Sequence, residues 1–420
     1  MTADTALQMS APHRLGPRPL GIHLALAGST WMGGALALNQ ALHGNFPWHP
    51  SLMAKAAALL ARVTPANRPG LQEVLMAESG RRVEQILAGI QAYRRHPYKR
   101  SLTTPETLTE IGTSRLIDYG ATGGATGQQG KRPVILCIPS LINPAYILDL
   151  KEKASLLRFL AARGLRPLLV DWGAPGPEER GFSLTDYINR RLTPMLAAAA
   201  ALDEGPVHLL GYCMGGNLTV ALAQQHQSLV KSMALLATPW DFHVASVTQA
   251  RALSTAMSGI VAAFESTGEV PVDFLQLFFM SLDPTLSDRK FRRFATMKQS
   301  GPLAELFVAI EDWSNDGAPL VTKVARECLY EWYSENTPAR GHWKIGGEVI
   351  NPGSIDIPSL VVLPAADRIV PPASARALGD ALPRARILEA RSGHVAMIVS
   401  PEAGKTLWEP LAAWYKDPKV

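Results

Sequence analysis

The sequence predicts an α/β fold in which helices cover both faces of a mainly parallel central sheet. Three observations support this class. Short apolar runs alternate with helical patterns through most of the chain after residue 130. One of these runs ends in a glycine-rich turn that leads into a helix. About 120 residues separate two of the later runs, which is too long for a single connection, so we expect an insertion in the sheet.

Six apolar runs are the predicted strands of the central sheet. Each is short and rich in aliphatic residues, as expected of a strand that is buried on both faces. They are Val134–Pro139, Arg166–Asp171, Val207–Gly211, Met233–Ala237, Leu360–Leu363 and Arg386–Leu388. Helices are predicted between strands, for example over Ala154–Arg163 and Asn217–Gln225. A further run, Arg115–Tyr119, is predicted to form an edge strand.

The turn after the third of these six strands has the pattern of a nucleophile elbow, which is typical of α/β-hydrolases. The segment reads Gly211-Tyr212-Cys213-Met214-Gly215-Gly216. The nucleophile in such a turn adopts strained dihedral angles, and its neighbours must be small because the turn is tight. Cys213 occupies the position where most of these enzymes have serine. A thiol exchanges acyl groups with thioesters at little cost in free energy, so the residue indicates acyl transfer. The alternative for Cys213 is an inert buried thiol.

An acid and a histidine follow the elbow in the chain order that the fold requires. Asp367 lies just past the fifth predicted strand, and His394 lies on the loop after the sixth. In a triad the acid orients the imidazole, and the imidazole takes the proton of the nucleophile. The sequence therefore predicts Cys213, Asp367 and His394 as catalytic residues. Asp367 could instead cap the helix that begins near Pro371, and His394 could be a core histidine.

Backbone N–H groups near the elbow are the predicted oxyanion donors. One belongs to Met214, the residue after the nucleophile, and the other comes from the Ser140–Ile142 turn, from Leu141 or Ile142. This turn follows the first predicted strand, so both donors are expected at the carboxyl edge of the sheet.

Several segments resemble the polyhydroxyalkanoate synthase family, and the resemblance covers roughly residues 90–415. The elbow matches the family's Gly-x-Cys-x-Gly-Gly box, and His394 lies in a Ser-Gly-His-Val-Ala segment similar to the family's Ser-Gly-His-Ile-Ala. Other similar segments are Pro139–Leu150, Leu168–Gly173, Ile345–Val349 and Ile355–Pro358. The chain departs from the family where Arg368 replaces a histidine after the acid and where Ser400-Pro401-Glu402 replaces Asn-Pro-Pro.

The resemblance implies an acyltransferase of the α/β-hydrolase fold that moves hydroxyacyl groups from coenzyme A thioesters onto a growing polyester. A cysteine-dependent esterase, thioesterase or polyester depolymerase is the alternative on the same fold. A catalytically silent granule-associated protein is the alternative of another class. The oligomeric state is left open between a homodimer and a complex with a partner subunit.

The domain organisation follows from the periodicity of the chain. Residues 1–95 are predicted to form a helical N-terminal extension, and residues 96–239 and 341–420 the hydrolase core. The insertion, residues 240–340, is predicted to form a helical cap over the active site. Its aromatic residues, which include Phe278, Trp332 and Tyr333, could pack in the cap or contact the substrate.

The composition restricts the cofactors, the binding partners and the location. The three cysteines, Cys137, Cys213 and Cys328, have no metal-ligand spacing, so we expect free thiols in a cytoplasmic protein without a metal or another cofactor. The net charge of +5 is too dispersed to indicate nucleic-acid binding. The uncharged run Leu20–Leu38 contains polar residues and glycines, so packing on the core or on an apolar surface is favoured over a signal peptide or a membrane span. The surface of a polymer granule is left open as a site of association.

Overall fold

The computed structural model describes residues 14–123 and 132–418. The first thirteen residues of the predicted extension lie outside the described residues. Contacts divide the chain into two compact units. The first contains the residues up to Lys99 together with Pro284–Asn315, and the second contains Arg100–Asp283 and the residues from Asp316 onward. Residues 284–315 are part of the predicted cap, so this division separates them from the rest of the insertion.

The α-helices of the described residues are numbered α1 to α16 in chain order. They are Leu20–Leu36, Leu38–Leu42, Met53–Leu60, Leu71–Arg95, Leu156–Ala162, Leu184–Tyr187, Thr193–Asp203, Met214–Gln225, Val247–Ala263, Val272–Leu282, Leu286–Ala295, Pro302–Asn315, Thr322–Glu327, Pro372–Ala381, Ala396–Val399 and Glu409–Lys416. Three π-helical segments extend some of them, over Ile188–Leu192, Cys328–Ser334 and Gly404–Trp408.

The β-strands are numbered β1 to β14 in the same way. They are Thr107–Ile111, Ser114–Asp118, Val134–Ile138, Asp149–Lys151, Ala154–Ser155, Arg166–Asp171, Val207–Tyr212, Val230–Leu236, Glu269–Val270, Leu320–Val321, Lys344–Ile345, Glu348–Val349, Ser359–Pro364 and Ala385–Ala390.

Eight of these strands form the central sheet of the second unit, in the order β1-β2-β6-β3-β7-β8-β13-β14. In this order the six strands β6, β3, β7, β8, β13 and β14 pair in parallel. At one edge of the sheet, β2 pairs antiparallel with β6, and β1 pairs antiparallel with β2. Every residue of β3, β7 and β13 is buried, as expected where helices cover both faces of a parallel sheet. The predicted α/β fold with a mainly parallel sheet is confirmed.

All six predicted strands are present in this sheet. The prediction that residues 115–119 form an edge strand is wrong, because β2 lies between β1 and β6. The true edge, β1, alternates between half-buried and exposed residues, which is the pattern of a strand with one solvated face. Its side chains are too polar to show the continuous apolar run that identified the inner strands.

The first unit is a group of helices packed around aromatic side chains. Tyr93 of α4 contacts Phe291 of α11, with ring centroids 6.0 Å apart, and Phe294 stacks on Phe307 of α12 at 4.1 Å. The helices α4 and α11 approach closely at Gly89, where a β-carbon would clash with the backbone carbonyl of Phe291. An aromatic core and a glycine contact therefore join two segments that are about 200 residues apart in the chain.

Candidate active site

The elbow lies where β7 ends and α8 begins. Cys213 connects them with φ 55° and ψ −130°, a strained conformation for a residue with a β-carbon. Its backbone N–H donates to the carbonyl of Leu236 on the neighbouring strand at 2.9 Å, which holds the turn. A β-carbon at Gly215 would clash with the carbonyl of Ile138, and one at Gly216 would clash with the Thr238 hydroxyl. The two glycines after the thiol are therefore required for close packing.

The predicted acid and histidine meet at the same edge of the sheet. Asp367 follows β13, His394 follows β14, and the His394 Nδ1 lies 2.6 Å from the Asp367 Oδ2. The other carboxylate oxygen of Asp367 accepts the backbone N–H groups of Ile369 and Val370 at 2.8 and 2.9 Å. Asp367 is therefore fixed in orientation and can hold one ring nitrogen of His394. It does not act as the N-cap of α14, since Pro371 occupies that position.

His394 also contacts the predicted nucleophile. Burial lowers the pKa of His394, but the charge of Cys213 and the hydrogen bonds with Asp367 and Cys213 raise it by more. The net effect is a pKa above the ordinary value of 6.5, which favours the imidazolium form. The structure thus brings all three predicted residues together, with His394 in contact with both Asp367 and Cys213.

The raised pKa of His394 predicts how the site responds to pH. The imidazolium should persist as the pH rises past 6.5, and its stabilising effect on the folded protein should be lost only as the pH rises through the folded-state pKa. An NMR titration of ¹³C-labelled histidine should therefore give His394 a midpoint above 6.5. The midpoint should fall in a Cys213→Ala variant, which lacks the neighbouring charge. A midpoint at or below 6.5 in the unmodified protein would contradict this expectation.

Tyr212 is a site residue that sequence reasoning missed. Its ring stacks on His394 with centroids 5.3 Å apart, and its hydroxyl donates to the His394 carbonyl at 3.2 Å. Tyr212 therefore supports the imidazole from the residue directly before the nucleophile. The only signal in the sequence was the position of Tyr212 inside the elbow, which does not indicate where the ring points.

The predicted oxyanion donors lie beside the elbow. Ile142 and Met214 line the same cavity as Cys213. The Ile142 N–H donates to the Ser140 hydroxyl at 3.2 Å, so it would have to leave this bond to serve an oxyanion. The N–H of Met214, a residue that directly follows the nucleophile and lines the cavity, is therefore the stronger candidate.

Other charged residues near the site have partners of their own. Asp171, the last residue of β6, pairs with Arg115 at 2.5 Å rather than with the histidine. Arg368, which replaces the histidine of the resembled family, is 65% exposed and pairs with Asp283 at 3.3 Å. Neither side chain competes with Asp367 for His394.

A mainly apolar cavity of about 100 Å³ adjoins the thiol. Residues of the insertion form most of its wall, and they include Phe278, Trp332 and Tyr333. These three aromatic residues therefore line the space that adjoins Cys213. The second thiol in the wall is Cys328, and burial raises its pKa well above the ordinary value, which keeps it protonated.

Within residues 14–123 and 132–418, no group of three or more His, Cys, Asp or Glu side chains is placed to hold a metal ion. In the same part of the chain, no helix has both the length and the apolar character needed to cross a membrane. The uncharged run that begins at Leu20 forms α1, which is 17 residues long.

Comparisons with known proteins agree with the fold and with the resemblance. The family model of the alpha/beta hydrolase fold matches residues 133–401. The poly(3-hydroxyalkanoate) polymerase subunit PhaC of Haloarcula marismortui is 29% identical over 308 residues, which are 71% of this chain and 64% of that protein. The protein of the same name from Thiocystis violacea is 28% identical over 308 residues, 72% of this chain and 85% of that protein. The protein of the same name from Allochromatium vinosum is 28% identical over 300 residues, which are 69% of this chain and 83% of that protein.

The family model covers more than half of this chain. The matched region amounts to less than two thirds of the length of the Haloarcula marismortui relative. The chain belongs to the α/β-hydrolase family, and its resemblance to the polyhydroxyalkanoate synthases within that family is confirmed.

Proposed function

We propose that this chain is a polyhydroxyalkanoate synthase-type acyltransferase that acts on hydroxyacyl-coenzyme A thioesters. The observation that carries the proposal is the thiol of Cys213 at a strained elbow, in contact with a histidine that Asp367 orients. A thiolate at this position can exchange an acyl group with a thioester, since the bond that forms and the bond that breaks are of the same kind.

In the first half of the reaction, the Cys213 thiolate attacks the carbonyl carbon of the thioester. The developing oxyanion accepts hydrogen bonds from the backbone N–H of Met214 and from the Leu141 region. The bond between carbon and the coenzyme A sulfur then breaks, and the departing thiolate takes the proton of the His394 imidazolium. The product is an acyl group bound to Cys213.

In the second half, a hydroxyl group replaces coenzyme A as the reacting partner. Neutral His394 removes the proton of a hydroxyl on a second hydroxyacyl group, and the oxygen attacks the acyl-enzyme carbonyl. The bond to Cys213 breaks, an ester forms, and the thiolate–imidazolium pair is restored. Repetition of these steps lengthens a polyester. The apolar wall of the cavity supports transfer to a hydroxyl rather than to water, because it disfavours water beside the acyl-enzyme.

Incubation with 3-hydroxybutyryl-coenzyme A tests this function. Coenzyme A release is followed over time, and free acid is separated from polymer by chromatography, with Cys213→Ala as the control. Polymer as the main product would support the proposal. Free acid alone would replace it with the hydrolase alternative, and no release above the control would favour the silent protein. Since the relatives are named polymerase subunits, the assay is also run with a candidate partner subunit added.

A further inference from the structure

A second cavity, of about 560 Å³, lies beside the cavity at Cys213. Both cavities are lined by Pro239, Phe242, Tyr333, Ile369 and Val370. The rings of Phe242 and Tyr333 meet edge-on, with centroids 5.0 Å apart, and both residues are half-buried. The two cavities are therefore neighbours, and two aromatic side chains belong to the wall that they share.

The two cavities differ in size. The cavity at Cys213 has a volume of about 100 Å³, whereas pockets that enclose a small-molecule ligand commonly measure about 300–1,000 Å³. It therefore has room for a short acyl group but not for several linked units. A chain that stays attached to Cys213 while it lengthens must leave this cavity. The second cavity adjoins it, and its volume lies within the range of a ligand pocket.

The wall of the second cavity indicates an uncharged ligand. Its lining residues are mostly apolar, and two of them, Asp241 and Arg368, carry a charge. Asp241 accepts the side-chain N–H of Asn336 at 2.9 Å and the backbone N–H of His243 at 2.8 Å. Arg368 pairs with Asp283 at 3.3 Å. One arginine that already has an acidic partner gives no excess positive charge for the phosphate groups of coenzyme A.

A polyester chain has the chemistry that this wall accepts. Its hydrocarbon groups carry no charge, and their burial against apolar side chains is favourable. Its ester carbonyls accept hydrogen bonds, and the second cavity is also lined by Ser246 and Gln249. The Ser246 hydroxyl oxygen accepts the backbone N–H of Gln249 at 3.2 Å, and its own O–H can donate to an ester carbonyl.

We propose that the second cavity holds the part of the growing polyester chain that lies beyond the unit on Cys213. This inference rests on the proposed function and adds the route by which the chain leaves the site. The unit bound to Cys213 occupies the smaller cavity, and the earlier units extend past Phe242 and Tyr333 into the larger one. No bond forms or breaks in this passage.

Ala252→Trp tests this route. Ala252 lies in α9, is exposed, and lines the second cavity but not the cavity at Cys213. First-turnover acylation by 3-hydroxybutyryl-coenzyme A, measured by rapid quenching and mass spectrometry, should stay the same. The mean length of the product chains, measured by size-exclusion chromatography after many turnovers, should fall about 10-fold, because each added unit then meets a steric barrier.

Two further variants complete the experiment. Ala245 is also exposed and lines the second cavity, so Ala245→Trp should shorten the chains in the same way. Thr255→Trp is the matched control, because Thr255 is an exposed residue of α9 that lines neither cavity. This control should retain both the acylation rate and the chain length of the unmodified protein.

Three results would overturn the inference and leave the proposed function standing. Chains of normal length from both Ala252→Trp and Ala245→Trp would show that the polymer takes another route. Acylation that falls as much as chain length would assign the second cavity to coenzyme A. Equal shortening in Thr255→Trp would show a general effect of a bulky side chain. If the unmodified protein is not acylated, or yields free acid alone, the proposed function fails and the inference fails with it.

Discussion

Replacing Cys213 with alanine is expected to abolish acylation by hydroxyacyl-coenzyme A thioesters while leaving the fold intact. The substitution removes the attacking sulfur, and alanine retains the β-carbon that the strained elbow already accommodates. We expect less than about 1% of the unmodified rate, since nucleophile removal in covalent catalysis costs several orders of magnitude. Circular dichroism and thermal melting should show that the protein is still folded.

Cys328→Ala is the matched control for this variant. Cys328 is the other thiol in the cavity wall, and its raised pKa keeps it protonated. Its removal should leave Cys213 reactive, and mass spectrometry should find the acyl group on the peptide that contains Cys213. A Cys213→Ala protein that keeps more than a few per cent of the rate would exclude Cys213 as the nucleophile.

Replacing Asp367 with asparagine is expected to reduce acylation by about 10²- to 10⁴-fold, by analogy with serine triads. The amide can keep the contacts with the backbone of Ile369 and Val370, so the loop should retain its shape. It loses the carboxylate charge and favours the wrong tautomer of His394. Since the bond with Asp367 helps to raise the pKa of His394, this pKa should also fall.

The experiment measures first-turnover acylation together with the NMR midpoint of His394. Asp171→Asn is the control, because Asp171 pairs with Arg115 and lies at the end of another strand of the same sheet. The control should change neither quantity substantially. Normal acylation in Asp367→Asn, together with a loss in Asp171→Asn, would show that a different acid orients the histidine.

The central sheet and the order of the site residues could be predicted from the sequence because both are marked by short sequence patterns. Strands buried on both faces are continuous apolar runs, and β6 begins and ends at the predicted residues. The elbow could be recognised because its tight turn requires glycines at fixed offsets from Cys213. Asp367 and His394 could be assigned because carboxyl ends of parallel strands meet at one edge of a sheet.

Other features depended on contacts between distant parts of the chain. Residues 284–315 have the same helical pattern as the rest of the insertion. They nevertheless belong with the N-terminal helices, where Phe291 packs against Tyr93. Nothing in the periodicity of α11 identifies the helix that it packs against. The edge strand β1 could not be identified from the sequence either, because its residues alternate and form no continuous apolar run.

The sequence by itself determined the α/β class, the elbow with its cysteine, and the acid and histidine that follow it. Each of these was predicted from short local patterns, such as apolar runs and the glycine turn, taken in their order along the chain. Only the tertiary structure decided that Tyr212 stacks on His394 and that Trp332 lines the cavity beside Cys213. These properties depend on side-chain direction and on long-range packing, because a local pattern specifies which residues are apolar but not which surfaces they meet.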